Sequence, residues 1–384
     1  MSDQRNVTAS IGLPVYNGEQ FLPQAIESVL AQTLGDFELV ISDNASTDAT
    51  EDVCRRYAAR DARVRYHRLG ENVGAMRNFE HVYRLCGGGG RYFKWAAHDD
   101  VLEPRFLEAC AAALDVDPEV VLAYPRARFI DAAGRHLRDY KVKLTTDAPQ
   151  PWRRFDAIAC APHKRTHNLE IFGLMRRSAI DRIPQQGGYA ASDRVFLARL
   201  AMLGRFVEVP EVLFLSRDHA GQSIKTLPEH LRRRRSLLSR LIGHGQLPPA
   251  EWFDPQYRGR VTFPEWRLAR EYLRSVRYGE VPFAQRARAT LSVFKRQLIH
   301  NNWARMARDF LMAADLMAAR VIDSFAPANG QPRDAHPADR ADHADHAEHA
   351  DHAEHAAHSI PVVGIAGQHA SVSAGQDEGR QNVA

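Results

Sequence analysis

Apolar and polar stretches alternate through the first 130 residues. Residues 7–14 are a short apolar run, and Phe21, Ala25, Val29 and Leu30 then recur at helical spacing over 21–32. FELVI at 37–41 predicts a second strand; the polar stretch 42–48 follows it, where Ser46 or Asp48 is placed to cap a helix reaching Tyr57. Residues 64–67 predict a strand, 74–85 a helix with Met76, Phe79, Val82 and Tyr83 inward, and 91–97 a strand after the glycine run 87–90. Pro104 opens a helix to about Leu114, and 120–124 predict a further buried strand. This order predicts an α/β fold, a mostly parallel open sheet with helices on both faces.

Beyond residue 132 the pattern loosens. Residues 171–175 predict a strand, SDRVFLARLAML at 192–203 a helix, and 206–209 and 212–215 short strands on either side of Pro210. From Pro228 the chain reads as helical and basic. Residues 302–325 predict an amphipathic helix with Met306, Phe310, Ala313 and Met317 near one face, docked on the body of the protein. The stretch ADHADHAEHADHAEHAAH at 341–358 repeats every third residue, so its histidines drift around a helix axis without forming a seam. Its composition predicts disorder. The chain therefore divides into an α/β domain over 1–225 (halves about 1–130 and 131–225), a basic helical region over 226–326, and a low-complexity His-rich tail over 327–384.

The composition is that of a soluble globular protein. Its four cysteines form no CxxC pair, so neither a zinc site nor a disulfide framework is expected, and reduced thiols place the chain in a cytoplasm. The first residues hold no apolar signal core, and no run of about 18 apolar residues predicts a membrane span. A net charge of +4 hides an asymmetry: between Lys225 and Arg320, Lys and Arg outnumber Asp and Glu about two to one, and Arg232 to Arg235 are four in a row. A solvated helix face accounts for this; so does attraction to anions such as phospholipid headgroups or a phosphorylated acceptor. Peripheral contact with an anionic membrane at its inner face is the expectation that follows. No zinc-finger or RNP-type aromatic pattern occurs, so nucleic acid is not an expected partner.

Sheets of this kind bind ligands beyond the carboxyl ends of their strands. Three polar clusters fall there: 14–19 (PVYNGE), 42–48 (SDNASTD) and His98-Asp99-Asp100. Adjacent carboxylates repel and are costly beside an apolar core. A divalent cation of the Mg²⁺ or Mn²⁺ type, which takes oxygen ligands and shares them with phosphates, would compensate that repulsion. Capping of the helix that opens at Pro104 answers the same residues, and both readings stand on spacing alone.

These pieces, taken in order, resemble the family 2 glycosyltransferases. The resemblance rests on Pro14-Val15-Tyr16-Asn17 with Glu19, Asp43-Asn44-Ala45-Ser46-Thr47-Asp48, Asn72-Val73-Gly74 with Arg77 and Asn78, His98-Asp99-Asp100, Ser192-Asp193 and His219, and it spans approximately 7–225. It implies the GT-A fold and inverting transfer of a sugar from a nucleotide-sugar, a UDP-sugar by family habit, to the hydroxyl of a carbohydrate or lipid-linked acceptor, with Mg²⁺ or Mn²⁺. It implies that Asp43 recognises the base, that Pro14, Val15, Tyr16, Asn17 and Glu19 line the nucleotide pocket, and that Arg77 lies near the base or diphosphate. The resemblance further implies that Asp99 would face the ribose and metal shell, that Asp100 would be the direct metal ligand, with His98 and Asp99 as the alternatives for that contact, that His219 would complete the metal–diphosphate site, and that Asp193 would be the general base. The chain departs from the family at Asn44, where Asp is common, and at His98, where a further Asp is common.

Trp95, Trp152 and Tyr189 are aromatic faces that suit a sugar or an apolar core, with core packing favoured for Trp95. The segment 160–177, with His163, His167 and Asn168, is expected to border the acceptor. Two other classes compete. A metal-dependent nucleotidyltransferase predicts a basic glycine-rich loop after the first strand, where this chain reads LPVYNGEQF. A non-catalytic metal- or membrane-binding protein built on the tail and basic helices leaves the ordered N-terminal motifs without a purpose.

Overall fold

The computed structural model describes residues 7–87, 89–162, 166–221, 260–299 and 302–325, with short pieces at 253 and 255–257. The run Arg232 to Arg235, His163 and the His-rich tail lie outside the described residues. Nine strands occur among those described: β1 (Val7–Val15), β2 (Phe37–Asp43), β3 (Val64–Arg68), β4 (Gly90–Trp95), β5 (Val101–Leu102), β6 (Val120–Ile130), β7 (His136–Asp139), β8 (Leu174–Arg176) and β9 (Arg205–Arg217). They form one sheet in the order β3-β2-β1-β4-β8-β6-β9-β5, with β7 paired to β6.

The pairings fix direction. β1, β2, β3 and β4 are mutually parallel. β8 is antiparallel to both β4 and β6, which makes β6 run with β4, and β9 is parallel to β6. Six strands thus end on one edge, at Val15, Asp43, Arg68, Trp95, Ile130 and Arg217, while β5, β7 and β8 run against them. This is the mostly parallel sheet expected from the sequence, opened by three reversed strands.

Helices cover both faces. α1 (Leu22–Leu30), α2 (Thr50–Arg60) and α4 (Phe106–Val116) bury Leu22, Ile26, Val53, Phe106 and Leu107 on one side. α3 (Ala75–Leu85), α5 (Pro151–Ala159) and α7 (Ser192–Leu203) bury Val82, Phe155 and Phe196 on the other, with the short α6 (Arg177–Ile180) beside them. Trp95 is wholly enclosed there, edge-on to Phe93 and Phe196. Tyr189 is buried in the same cluster. Neither ring is therefore free to stack on a sugar. Trp152 packs under Arg153 and Arg288.

Two local expectations change, and one strand has no counterpart in the sequence reading. Pro210 does not split its segment: β9 runs through it, and the pairing with β6 shifts register between Pro125 and Arg126, so the prolines of the two strands are absorbed in a bulge. Residues 169–172 form a 3-10 turn before β8 begins at Leu174, a hand-off that an unbroken apolar run conceals. The hairpin partner β7 is exposed at every residue and so carries no apolar alternation to detect.

After the sheet come α8 (Pro264–Ser275), α9 (Phe283–Ile299) and α10 (Asn302–Phe325). α8 packs on α7 and α9 on α5, so these helices extend the layer over one sheet face. α10 docks on α8 and α9. Of the face expected from the sequence Ala313 is buried and Met306 partly buried, while Phe310 and Met317 remain about half exposed; Asp309 and Arg308 are buried as well, and Asp309 accepts the Glu265 N–H at 2.8 Å.

Candidate functional site

The polar clusters meet because the strand ends meet. Register places Val15 beside Asp43 and Asp43 beside Arg68, a row across three strands at the sheet edge. From there the loop after β1 is laced to the loop after β2. Asn17, held at φ 49°, donates its N–H to Ser46 Oγ at 2.9 Å and accepts the Thr47 N–H at 2.8 Å. Glu19 accepts the Ala49 N–H at 2.9 Å, and the Asn44 N–H donates to Val15 O at 2.9 Å. Asn44 and Asn78 extend the lacing to α3: Asn44 Oδ1 accepts the Val73 N–H, and Asn78 Nδ2 donates to Ser42 O. Pro14, one residue before the end of β1, pairs with Ser42, Tyr16 stands half-exposed after it, and Arg77 is exposed on the first turn of α3.

Asp43 is 0% exposed. Its Oδ1 accepts the Ser46 N–H at 2.8 Å; its Oδ2 accepts the Tyr66 hydroxyl at 2.8 Å and Arg68 Nη1 at 3.0 Å. In this conformation it braces the loop after β2 and presents no open carboxylate.

Asp99 and Asp100 separate cleanly. Neither caps α4, whose N-cap is Arg105. Asp100 turns inward: it is 8% exposed, and its Oδ1 accepts the Arg217 N–H at 2.8 Å. Burial, with the charge of Asp99 next, pushes its carboxyl up to about 8. Asp99 turns the other way, its Oδ2 lying 2.9 Å from His219 Nε2. His219 is seated against the Phe21 ring, 4.6 Å between centroids.

Arg217, at the end of β9, ties these parts together. Its guanidinium donates to Asp99 O, to Asp131 O and Ala132 O, and to Gln24 Oε1 of α1. Gly18 closes the other side. A Cβ there would lie 2.9 Å from His98 Cδ2 and 2.6 Å from Val15 Cγ2, so the β1 loop can approach the His98 loop this closely only with glycine. Lys94, fully buried under the same loop, donates to Trp95 O and Phe172 O, and burial pushes its ammonium down to about 7.

Asp193 sits in the first turn of α7, after Ala191 at φ 60°. It makes no capping bond. Its Oδ2 accepts Asn168 Nδ2 at 2.8 Å, and no hydrogen bond to its Oδ1 occurs among the described residues. Asn168 is itself fixed, at φ 52° and with Arg194 Nε donating to its Oδ1 at 3.1 Å; Arg194 is anchored in turn on Ala161 O and Thr166 Oγ1.

A circuit of contacts encloses the strand ends. It runs from the β1 loop to the β2 loop and α3, then from Met76 to Ser192 (Oγ to Sδ 3.5 Å) and so to Asp193 and Asn168. His167 stands edge-on to Phe129, Arg138 lies over Phe129 and pairs with Asp218, and His219 returns to Asp99, whose neighbour His98 lies beside Gly18. Residues up to 204 positions apart in the chain are thus brought around one edge. Sequence reasoning missed Arg68, Arg217, Arg194 and the fixing of Asp193 by Asn168. Of these Arg217 left a trace, a cation ending a strand two residues before His219.

Asp99 and His219 offer one oxygen and one nitrogen donor side by side. Among the described residues no group of three or more His, Cys, Asp and Glu side chains could hold a metal by itself. A metal held between these two side chains would need the rest of its ligands from a bound molecule or from water.

Known proteins set this arrangement in context. An uncharacterised glycosyltransferase of Rickettsia felis is 34% identical over 234 residues, covering 58% of this chain and 36% of its own length. The chondroitin synthase of Escherichia coli is 33% identical over 126 residues, 33% of this chain and 18% of that one. The chain spans about a third of the length of the Rickettsia relatives R. felis, R. bellii and R. conorii. Residues 1–349 of Staphylococcus aureus TarS share the fold at a TM-score of 0.51, with 16% identity and 80% of each chain covered. The sequence pattern of glycosyl transferase family 2 matches residues 10–183, the stretch that builds the β1, β2 and His98 loops. Residues 10–183 are thus similar to the glycosyl transferase family 2 domain, on a fold shared with TarS.

Proposed function

We propose that the protein moves a sugar from a nucleotide-sugar, a UDP-sugar, to an acceptor hydroxyl with inversion. The observation that carries this reading is the circuit that sets Asp193, Asp99 and His219 around the same sheet edge as the laced nucleotide loops. Pro14, Val15, Tyr16, Asn17 and Glu19 form the nucleotide wall, with Asp43 holding its shape and Arg77 offering a cation to the diphosphate.

The direct metal contact expected for Asp100 passes to Asp99 in this reading. Asp100 is committed to the Arg217 N–H and turned from the edge, whereas Asp99 and His219 face one another there. A bound Mg²⁺ or Mn²⁺ would neutralise charge gathering on the departing diphosphate. Asp193 accepts the acceptor hydroxyl proton on Oδ1 while Asn168 holds Oδ2. The hydroxyl oxygen bonds to the anomeric carbon as the bond to the diphosphate breaks, and the nucleoside diphosphate leaves on the opposite face.

The acceptor is a carbohydrate or a lipid-linked one, and peripheral contact with an anionic membrane suits the second. No described helix is long and apolar enough to cross a membrane. A thermal-shift panel of nucleotide-sugars with and without Mn²⁺ tests the reading. One UDP-sugar should raise the melting temperature only when metal is present; a panel in which no nucleotide-sugar stabilises the protein would overturn it.

A further inference from the structure

The helix α9 (Phe283–Ile299) has two faces of opposite use. Ala289, Ser292, Val293 and Arg296 are buried, and the helix packs on α5 through them. The other face carries Phe283, Ala287, Leu291, Phe294 and Leu298, spaced four, four, three and four residues apart, which is one continuous stripe on a helix. Its four large side chains are 86%, 65%, 57% and 74% exposed, far beyond what scattered surface residues show. At about 1.5 Å per residue the stripe is roughly 22 Å long.

The helix itself carries charge of one sign. Arg288 and Lys295 lie along the edge of the stripe and are exposed, Arg286 sits further round, and α9 contains no Asp or Glu. Lys295 reaches Asp156 and Arg288 lies over Trp152, contacts made from the flanks that leave both side chains at the surface. A second copy of this chain meeting the stripe face to face would bring the same basic rim against itself, since a two-fold contact repeats one patch on both sides. An anionic lipid surface complements both features at once: acyl chains take the apolar stripe and phosphate headgroups take the rim.

We propose that α9 is a membrane-docking helix, lying flat in the headgroup layer of an anionic bilayer with Phe283, Leu291, Phe294 and Leu298 inserted. This surface is separate from the loops that carry the proposed transfer chemistry, and it stands whether or not that chemistry is as described.

The test is vesicle co-sedimentation of the full chain. The vesicles are phosphatidylcholine alone or with about 30 mol% phosphatidylglycerol. Wild type should bind the mixed vesicles and dissociate partly at about 0.5 M salt. The double variant Phe294→Ser, Leu298→Ser should lose roughly tenfold in partitioning while keeping its melting temperature and its transfer activity on a water-soluble acceptor. Arg288→Glu with Lys295→Glu should remove most of the preference for anionic over neutral vesicles. Undiminished binding by the Phe294/Leu298 variant would assign attachment to another part of the chain and overturn the proposal. So would light scattering that shows a wild-type dimer dispersed by the same two substitutions, because the stripe would then be a contact between copies.

Discussion

Asn168 Nδ2 donates to Asp193 Oδ2 at 2.8 Å, and Arg194, the residue after Asp193, donates back to Asn168 Oδ1 at 3.1 Å. Two consecutive residues of α7 thus grip one amide from opposite ends, which holds the Asp193 carboxylate through Oδ2. A general base works only within hydrogen-bond reach of its proton, so this grip bears on rate more than on affinity.

Asp193→Ala should lower turnover by roughly 10²–10⁴-fold while donor affinity stays near wild type. Asn168→Gly removes the amide without asking a side chain to hold φ 52°, and should lower kcat by roughly tenfold with the donor KM unchanged. Steady-state kinetics with donor and acceptor varied separately distinguish the two. Near-normal turnover in Asp193→Ala would end its assignment as the base.

The adjacent carboxylates should divide their labour. Asp99→Asn should abolish the metal-dependent part of UDP binding and leave the melting temperature within a degree or two. Asp100→Ala strips the acceptor from a buried N–H of Arg217, which costs about 1–3 kcal/mol of stability. Calorimetric titration of UDP with and without Mn²⁺, alongside thermal melts, checks both. Equal loss of metal dependence with unchanged stability in Asp100→Ala would return the ligand role to Asp100.

Much of this was legible in the sequence. The strands β1, β2, β4 and β6 announce themselves as apolar runs because they are covered on both faces, and the polar clusters stand out because they interrupt those runs at the strand ends. The choice between Asp99 and Asp100 was not legible. Neighbours on an extended loop point opposite ways, and which one faces inward is decided by Arg217, over a hundred residues later. Asn168 is singled out by the sequence, but its pairing with Asp193 is not: the partner lies 25 residues on, and nothing in the spacing marks the pair. The turn around Pro210 was misread because a proline in one strand can be carried by a bulge shared with its neighbour, a property of the pair and not of either segment.

Gly18→Ala should injure the site without touching its chemistry. The added methyl meets His98 and Val15 at distances no real Cβ adopts, so the β1 loop must lift from the His98 loop. Overpacking of this kind costs about 1–3 kcal/mol. Donor KM should rise several-fold, and a His98→Ala change in the same chain should recover part of the loss by vacating the space. A double variant no better than Gly18→Ala would show that the contact is not what limits the loop.

Glu170 provides the pH signature. It is 2% exposed, both carboxylate oxygens lack a hydrogen-bond partner, and it lines a cavity of about 20 Å³ shared with Tyr124 and Tyr140. Burial pushes its carboxyl from 4.5 up to about 7. The folded protein therefore holds this proton more tightly than the unfolded chain does. Below pH 4.5 the group is neutral in both states and costs nothing; between pH 4.5 and about 7 the penalty grows; above about 7 it is complete, near 3 kcal/mol. Stability should fall with rising pH through that window on account of this group. Glu170→Gln, which is neutral at every pH, should match wild type at pH 4 and exceed it by about 3 kcal/mol at pH 8. Urea melts of both proteins at the two pH values measure the difference. A gap that does not widen between them would mean that Glu170 has a partner that offsets the burial of its charge.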